Sequence, residues 1–279
     1  MTPAIAALVV HGMGTQPPTF ADRFVRAIDE RLARSGIPAG SVHWRAAYWA
    51  DLVQSREQAL WDDLSRAHDL DYAALRRFVI THFGDALAYQ RVPLQDSDFY
   101  RDIHARIAGH LAAIRRDVGA DLPLVVLAHS LGSVIMSNFI WDVQQGRDQR
   151  RGAGSHNAMP PLTPLERMET LAGFITFGSS IALFTLCLRD IVAIRFPPPE
   201  LPEPLRQRAR WLNVYDADDV FAYPLRPLSP TYAAAVHEDV ELNVGGPLRS
   251  WNPLSHNAYW TDPDFAARAA EVVGDLLKG

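Results

Sequence analysis

The stretch "LPLVVLAHSLGSVIM", residues 122–136, decides the fold. Its first half is an unbroken apolar run rich in Leu and Val, the pattern of a strand buried on both faces. Its second half continues into "LGSVIMSNFIWDVQQ", which reads as a helix. Between them, Ala128-His129-Ser130-Leu131-Gly132 nearly spells G-x-S-x-G, with Ala128 at the first glycine position. A strand that turns directly into a helix through such a pentapeptide is the setting of a nucleophile elbow. The competing interpretation makes Ser130 a helix cap, a position that favours serine. A pentapeptide with one mismatch does not separate the two, so the partners must come from the rest of the chain.

Working outward, "AIAALVV" (4–10), "SVHWRAAYW" (41–49), 172–178, "RWLNVYD" (210–216) and "VHEDVELNV" (236–244) are further strand candidates. Phe20, Phe24, Ile28 and Leu32, four apart, mark an amphipathic helix over about 19–35. "PDFAARAAEVVGDLL" (263–277) closes the chain as another. Residues 50–118 are charged and mostly helical in period, with "RVPLQDSD" as a break, and are expected to form a helical insert that is part of a cap. Apolar strands alternating with helices indicate an α/β protein with a mostly parallel central sheet and helices on both faces. Helices link every strand candidate, so residues 1–279 are expected to form one domain.

The 279 residues are 48% hydrophobic and 21% charged, with a net charge of −5, the balance of a globular chain that does not seek nucleic acid. The densest basic cluster, "RDQRR" (147–151), reads as a solvated loop. The one cysteine, Cys187, excludes an intrachain disulfide, and its flanks "LFTLCLRD" suggest buried packing. Residues 171–188 carry no charge and approach the length of a membrane span. Gly and two Ser interrupt them, so a strand, a turn and an apolar helix are expected instead. The N-terminus lacks a basic n-region and a cleavage site, and the cytoplasm is the default location. Neither H-E-x-x-H, nor paired Cys/His spacing, nor a Gly-rich phosphate loop is present, so no metal or cofactor is expected.

Serine is a weak nucleophile until a base takes its proton and a third group aims the base. "VVHGMGTQ" (9–16) is a two-glycine loop directly after an apolar strand, where backbone amides can approach a ligand. Together with the residue after the nucleophile, such a loop supplies an oxyanion hole, which nominates the backbone N–H groups of Met13 and Leu131. "NVYDADDVFAYPL" (213–225) is a strand running into an acidic turn in which Asp216, Asp218 and Asp219 compete to orient the base. Of ten histidines, His256 in "SHNAYW" (255–260) lies after the last strand candidate, where the base belongs. His11 and His129 flank the site and are expected to be structural. His43, His104, His110 and His237 sit in helix or strand patterns without a partner motif. The order Ser130, Asp, His256 is that of the α/β-hydrolases.

With these pieces the chain resembles the α/β-hydrolase superfamily of lipases and esterases, and more narrowly the DDHD-domain phospholipases and related bacterial serine hydrolases. Their histidine-glycine loop, serine elbow, "D-x-V-A-Y-x-L"-like run and "S-H-x-x-Y-W" histidine correspond to "VVHGMGTQ", "LAHSLGS", "YDADDVFAYPLRPL" and "LSHNAYW". The resemblance implies an α/β-hydrolase fold and assigns the triad acid to Asp219, with Asp218 as the alternative. It does not extend to residues 50–118. Val220-Phe221 stand where the phospholipases tend to have Pro-Val, so the match is to a catalytic scheme more than to a substrate.

The expected activity is that of a serine esterase: ester cleavage through an acyl-enzyme on Ser130, His256 and Asp219. The expected substrate is a small-molecule or lipid ester, with transient contact to a membrane surface and no nucleic acid. Acyl transfer or amide hydrolysis on the same triad, and a non-catalytic binding protein of this fold, are the alternatives.

Overall fold

A computed structural model describes residues 2–14, 16–67, 71–89, 99–146, 161–245 and 253–278. The expected break at 91–98 and the basic cluster at 147–151 lie outside the described residues. Among the described residues six parallel strands form one sheet: β1 (Ile5–Val10), β2 (Val42–Ala47), β3 (Leu124–His129), β4 (Leu171–Phe177), β5 (Arg210–Tyr215) and β6 (Glu238–Glu241). Their spatial order is β2-β1-β3-β4-β5-β6. Every residue of β1, β3 and β4 is buried, which explains their unbroken apolar sequences. Burying one such Val or Leu contributes about 1.5–3 kcal/mol. β6 sits at the edge with acidic residues exposed, and is shorter than the apolar alternation of 236–244 suggests.

The helices are α1 (Asp22–Arg34), α2 (Asp51–Ala67), α3 (Ala73–Ala88), α4 (Phe99–Val118), α5 (Leu131–Gln144), α6 (Ile181–Phe184), α7 (Glu203–Arg206), α8 (Pro230–Ala235) and α9 (Pro263–Leu277). α1 buries Phe24, Ile28 and Leu32 along one stripe and packs on α9. The start of α9 is fixed by Asp262, whose side chain accepts from the N–H groups of Asp264 and Phe265, and by Pro263 in the first turn. Of the helical stretch 50–118, α4 packs on β2 and α5 through buried Ile103, Ile107, Leu111 and Ile114. α2 packs on both α3 and α4.

Residues 171–188 form β4, one turn of α6 and a 3₁₀ turn, Thr185–Cys187. Cys187 departs from the sequence expectation: it is exposed rather than buried. Helix α6 stops after a single turn, which leaves Leu186 (85% exposed) and Leu188 outside the core with it. Among the described residues no helix is long and apolar enough to cross a membrane.

The chain leaves β1 toward β2 and returns through α2–α4 to β3 on the other side of β1. The reversal lies at the carboxyl ends of β1 and β3, the place where open α/β sheets bind ligands. The "HGMG" loop follows β1 and Ser130 follows β3, so both motifs end at that reversal.

Candidate active site

Ser130 occupies the turn between β3 and α5 at φ 50°, ψ −124°, a conformation that costs a residue with a side chain about 1–3 kcal/mol. Its N–H donates to the Phe177 carbonyl at 3.0 Å, which pins the turn to the end of β4. The Ser130 side chain makes no capping bond to α5. Instead, the Ser130 hydroxyl donates to His256 Nε2 at 2.7 Å. The strain is therefore not offset by a cap; it aims the hydroxyl.

Two glycines let the β1 loop and the elbow touch. A Cβ on Gly12 would fall 2.5 Å from Ser130 Cβ, and one on Gly132 would run into the His11 carbonyl oxygen. Ala128 lies in β3 itself, paired with Val10 and Thr176, where an extended residue needs no glycine. That is why the mismatch in the pentapeptide is tolerated.

His256 Nδ1–H donates to both carboxylate oxygens of Asp219, at 2.9 Å to Oδ2 and 3.1 Å to Oδ1. A carboxylate only accepts, so this bond puts the proton on Nδ1 and leaves the Nε2 lone pair facing Ser130. Asp219 also accepts from the Phe221 N–H at 3.0 Å and from the Tyr259 hydroxyl at 3.1 Å. Asp218 is exposed on the loop. Asp216 is buried but employed otherwise, accepting from the N–H groups of Asp218 at 2.8 Å and Val244 at 2.7 Å. Of the three competing aspartates, the structure brings Asp219 to the histidine.

Tyr259 is a site residue that the sequence analysis missed. His256 and Tyr259 lie three apart in the 3₁₀ segment Pro253–Thr261, where residues i and i+3 eclipse. Both side chains therefore reach Asp219. The Tyr259 hydroxyl also accepts from the Asp216 N–H at 2.8 Å. Burial, and then the Asp219 charge, push its phenol above the usual range, so it remains a donor. The tyrosine of "SHNAYW" is the signal that was available.

His129 and His11 hold the frame, as expected. His129 Nε2–H donates to the His256 carbonyl at 2.7 Å, tying the residue before Ser130 to the backbone of His256. Burial, with the nearby His256 ring, keeps His129 well below the usual imidazole range. His11 stacks on Trp49 with ring centroids 4.7 Å apart, and its Nε2 accepts the Trp49 N–H at 3.1 Å. Its Nδ1–H donates to the Gly12 carbonyl at 2.8 Å, and burial lowers its pKa to about 4.

Among the described residues, the N–H groups of Met13 and Leu131 have no hydrogen-bond acceptor. Among the described residues, no group of His, Cys, Asp or Glu side chains is arranged to hold a metal ion. An elbow serine after β3, an acid after β5 and a histidine ahead of α9 form the arrangement of an α/β-hydrolase fold.

No family model and no curated protein matches the sequence. Among solved structures the chain is similar to one described with LipS and LipT, two metagenome-derived lipolytic enzymes that increase the diversity of known lipase and esterase families. Identity is 13% and the TM-score 0.35, over 87% of this chain and 85% of that chain. At that level the likeness carries no argument about chemistry.

Proposed function

We propose that the protein is a serine hydrolase that cleaves carboxylic esters through an acyl-enzyme. The observation that carries this reading is the unbroken chain from Ser130 Oγ through the His256 ring to Asp219, mounted on a strained elbow. Ser130 Oγ attacks the ester carbonyl carbon as His256 Nε2 takes its proton. Asp219 holds the Nδ1–H and stabilises the imidazolium that results. The tetrahedral oxyanion is met by the free N–H groups of Met13 and Leu131. Collapse expels the alkoxide, which takes the proton from Nε2, and a water then repeats the sequence on the acyl-enzyme.

Exposed apolar side chains in the loops that follow β4 and β5 favour an ester with a hydrophobic acyl group. Leu183, Leu186, Leu188 and Val192 follow β4, and Val220 and Tyr223 follow β5, all with substantial exposure. These side chains would also rest on a lipid surface, in keeping with transient membrane contact. The resemblance of four sequence motifs to those of the DDHD-domain phospholipases supports the same scheme.

A graded series of p-nitrophenyl esters tests the reading. The wild-type protein should turn over the longer acyl chains, and Ser130→Ala should lose about 10⁴-fold or more in kcat. Its melting temperature should be retained. Wild-type turnover by the Ser130→Ala protein would contradict the assignment.

A further inference from the structure

The β1 loop touches the elbow on one side and the helices of the 50–118 stretch on the other. On the elbow side, Gly12 leaves no room for a side chain against Ser130. On the far side, the Gly14 N–H donates to Asp85 Oδ2 at 2.7 Å, a contact between residues 71 apart in sequence. Gly14 sits at φ 88°, in the left-handed region, so the loop reaches Asp85 through a backbone shape that other residues adopt only under strain. Met13 lies between these two anchors.

Asp85, near the end of α3, is 4% exposed, and Glu57 of α2 is buried beside it. Burial and then the Asp85 charge raise Glu57 to about 8. Asp85 is raised by burial to only about 6, because the Gly14 N–H and Glu57 both favour its ionised form. Burial raises both acids, so the pair holds a proton more readily than two solvated carboxyls would. The two helices meet tightly here: a Cβ on Gly84 would lie 2.9 Å from Glu57 Oε1.

We propose that Asp85, backed by Glu57, is a positioning residue that holds the Met13–Gly14 loop in register with Ser130, coupling helices α2 and α3 to the oxyanion hole. This inference rests on the serine-hydrolase reading. Asp85 touches no reacting atom; it acts through the Gly14 amide. Losing the acceptor lets the loop drift, and a small misplacement of an oxyanion donor is expensive in the transition state while leaving ground-state binding intact.

The test compares Asp85→Ala, Asp85→Asn and wild type by p-nitrophenyl ester kinetics and by the rate at which a fluorophosphonate labels Ser130. Asp85→Ala should lower kcat and the labelling rate about 10- to 100-fold with KM nearly unchanged. Asp85→Asn keeps an oxygen acceptor for Gly14 and should recover most of that loss. A folded Asp85→Ala protein with wild-type kcat overturns the proposal, as does an Asn variant no better than Ala. Should Asp85→Ala not fold, Asp85→Glu displaces the acceptor by one methylene, and wild-type kcat in that protein overturns the proposal equally. Failure of the underlying reading looks different, since the wild type itself would then neither label nor turn over, and both inferences would fall.

Discussion

Ser130 is held in a conformation that costs it free energy, and its hydroxyl spends its hydrogen bond on His256 rather than on the helix it precedes. The roles of its neighbours differ enough to be separated by single substitutions. Asp219→Asn replaces an acceptor with an amide that can favour the wrong histidine tautomer, and should lower kcat by about 10⁴. Asp218→Asn, on the exposed side of the same turn, should stay within about threefold of wild type. Steady-state kinetics on both decides it, and a larger loss at Asp218 would contradict the geometry. Tyr259→Phe removes a donor to Asp219 and leaves the buried Asp216 N–H without its acceptor. A destabilisation of about 1–3 kcal/mol is expected in urea, together with a modest fall in kcat. An unchanged unfolding midpoint would show that the hydroxyl does not carry that N–H.

Residue identity made part of the site legible in the sequence. Ser130, one of three aspartates, and His256 stood out because nucleophile, acid and base are scarce residue types in a fixed order. Residue type alone left Asp216, Asp218 and Asp219 in competition, since neighbouring residues differ only in where the loop points them, and it was the resemblance that singled out Asp219 with Asp218 as the alternative. Tyr259 escaped because a buried aromatic is more often core than site, and its hydroxyl matters only through the 3₁₀ register.

At the scale of elements, the β1 loop, the elbow and the 3₁₀ segment are locked by backbone contacts that leave little trace in residue type. Gly12 and Gly132 were visible as glycines, but what each one accommodates was not. The apolar flanks of Cys187 suggest burial, whereas a helix that ends after one turn leaves that cysteine exposed. The α2–α3 pair carries its own pH signature. An acid raised from 4.5 to about 8 in the folded state binds its proton more tightly than in the unfolded chain. Its contribution to stability therefore declines as pH rises from about 4.5 through 8. Glu57→Gln stays neutral at every pH and lacks that decline. Between pH 6 and 8.5 the wild-type melting temperature should fall further than that of Glu57→Gln. Parallel melting curves would mean that Glu57 is not held protonated.

For the whole molecule, the sheet was the most legible feature. Unbroken apolar runs marked β1, β3 and β4 because helices cover both faces of the central strands, while the acidic edge strand β6 came out shorter than its alternation suggested. The strand order was not legible. Only the structure shows that β1 and β3 are neighbours at the reversal, and this adjacency sets "HGMG" beside "HSLGS". The aromatic cluster of Phe24, Phe177, Trp260 and Phe265 then fastens α1, β4 and α9 beneath the histidine segment, so His256 is positioned by the core as a whole. The most direct measurement of whether this architecture activates a serine is fluorophosphonate labelling of the native protein, followed by intact mass and peptide mapping. A single adduct on Ser130, absent after denaturation and in Asp219→Asn much slower to form, is the expected result. No adduct on the folded protein, or an adduct on another residue with Ser130 unmodified, would contradict it.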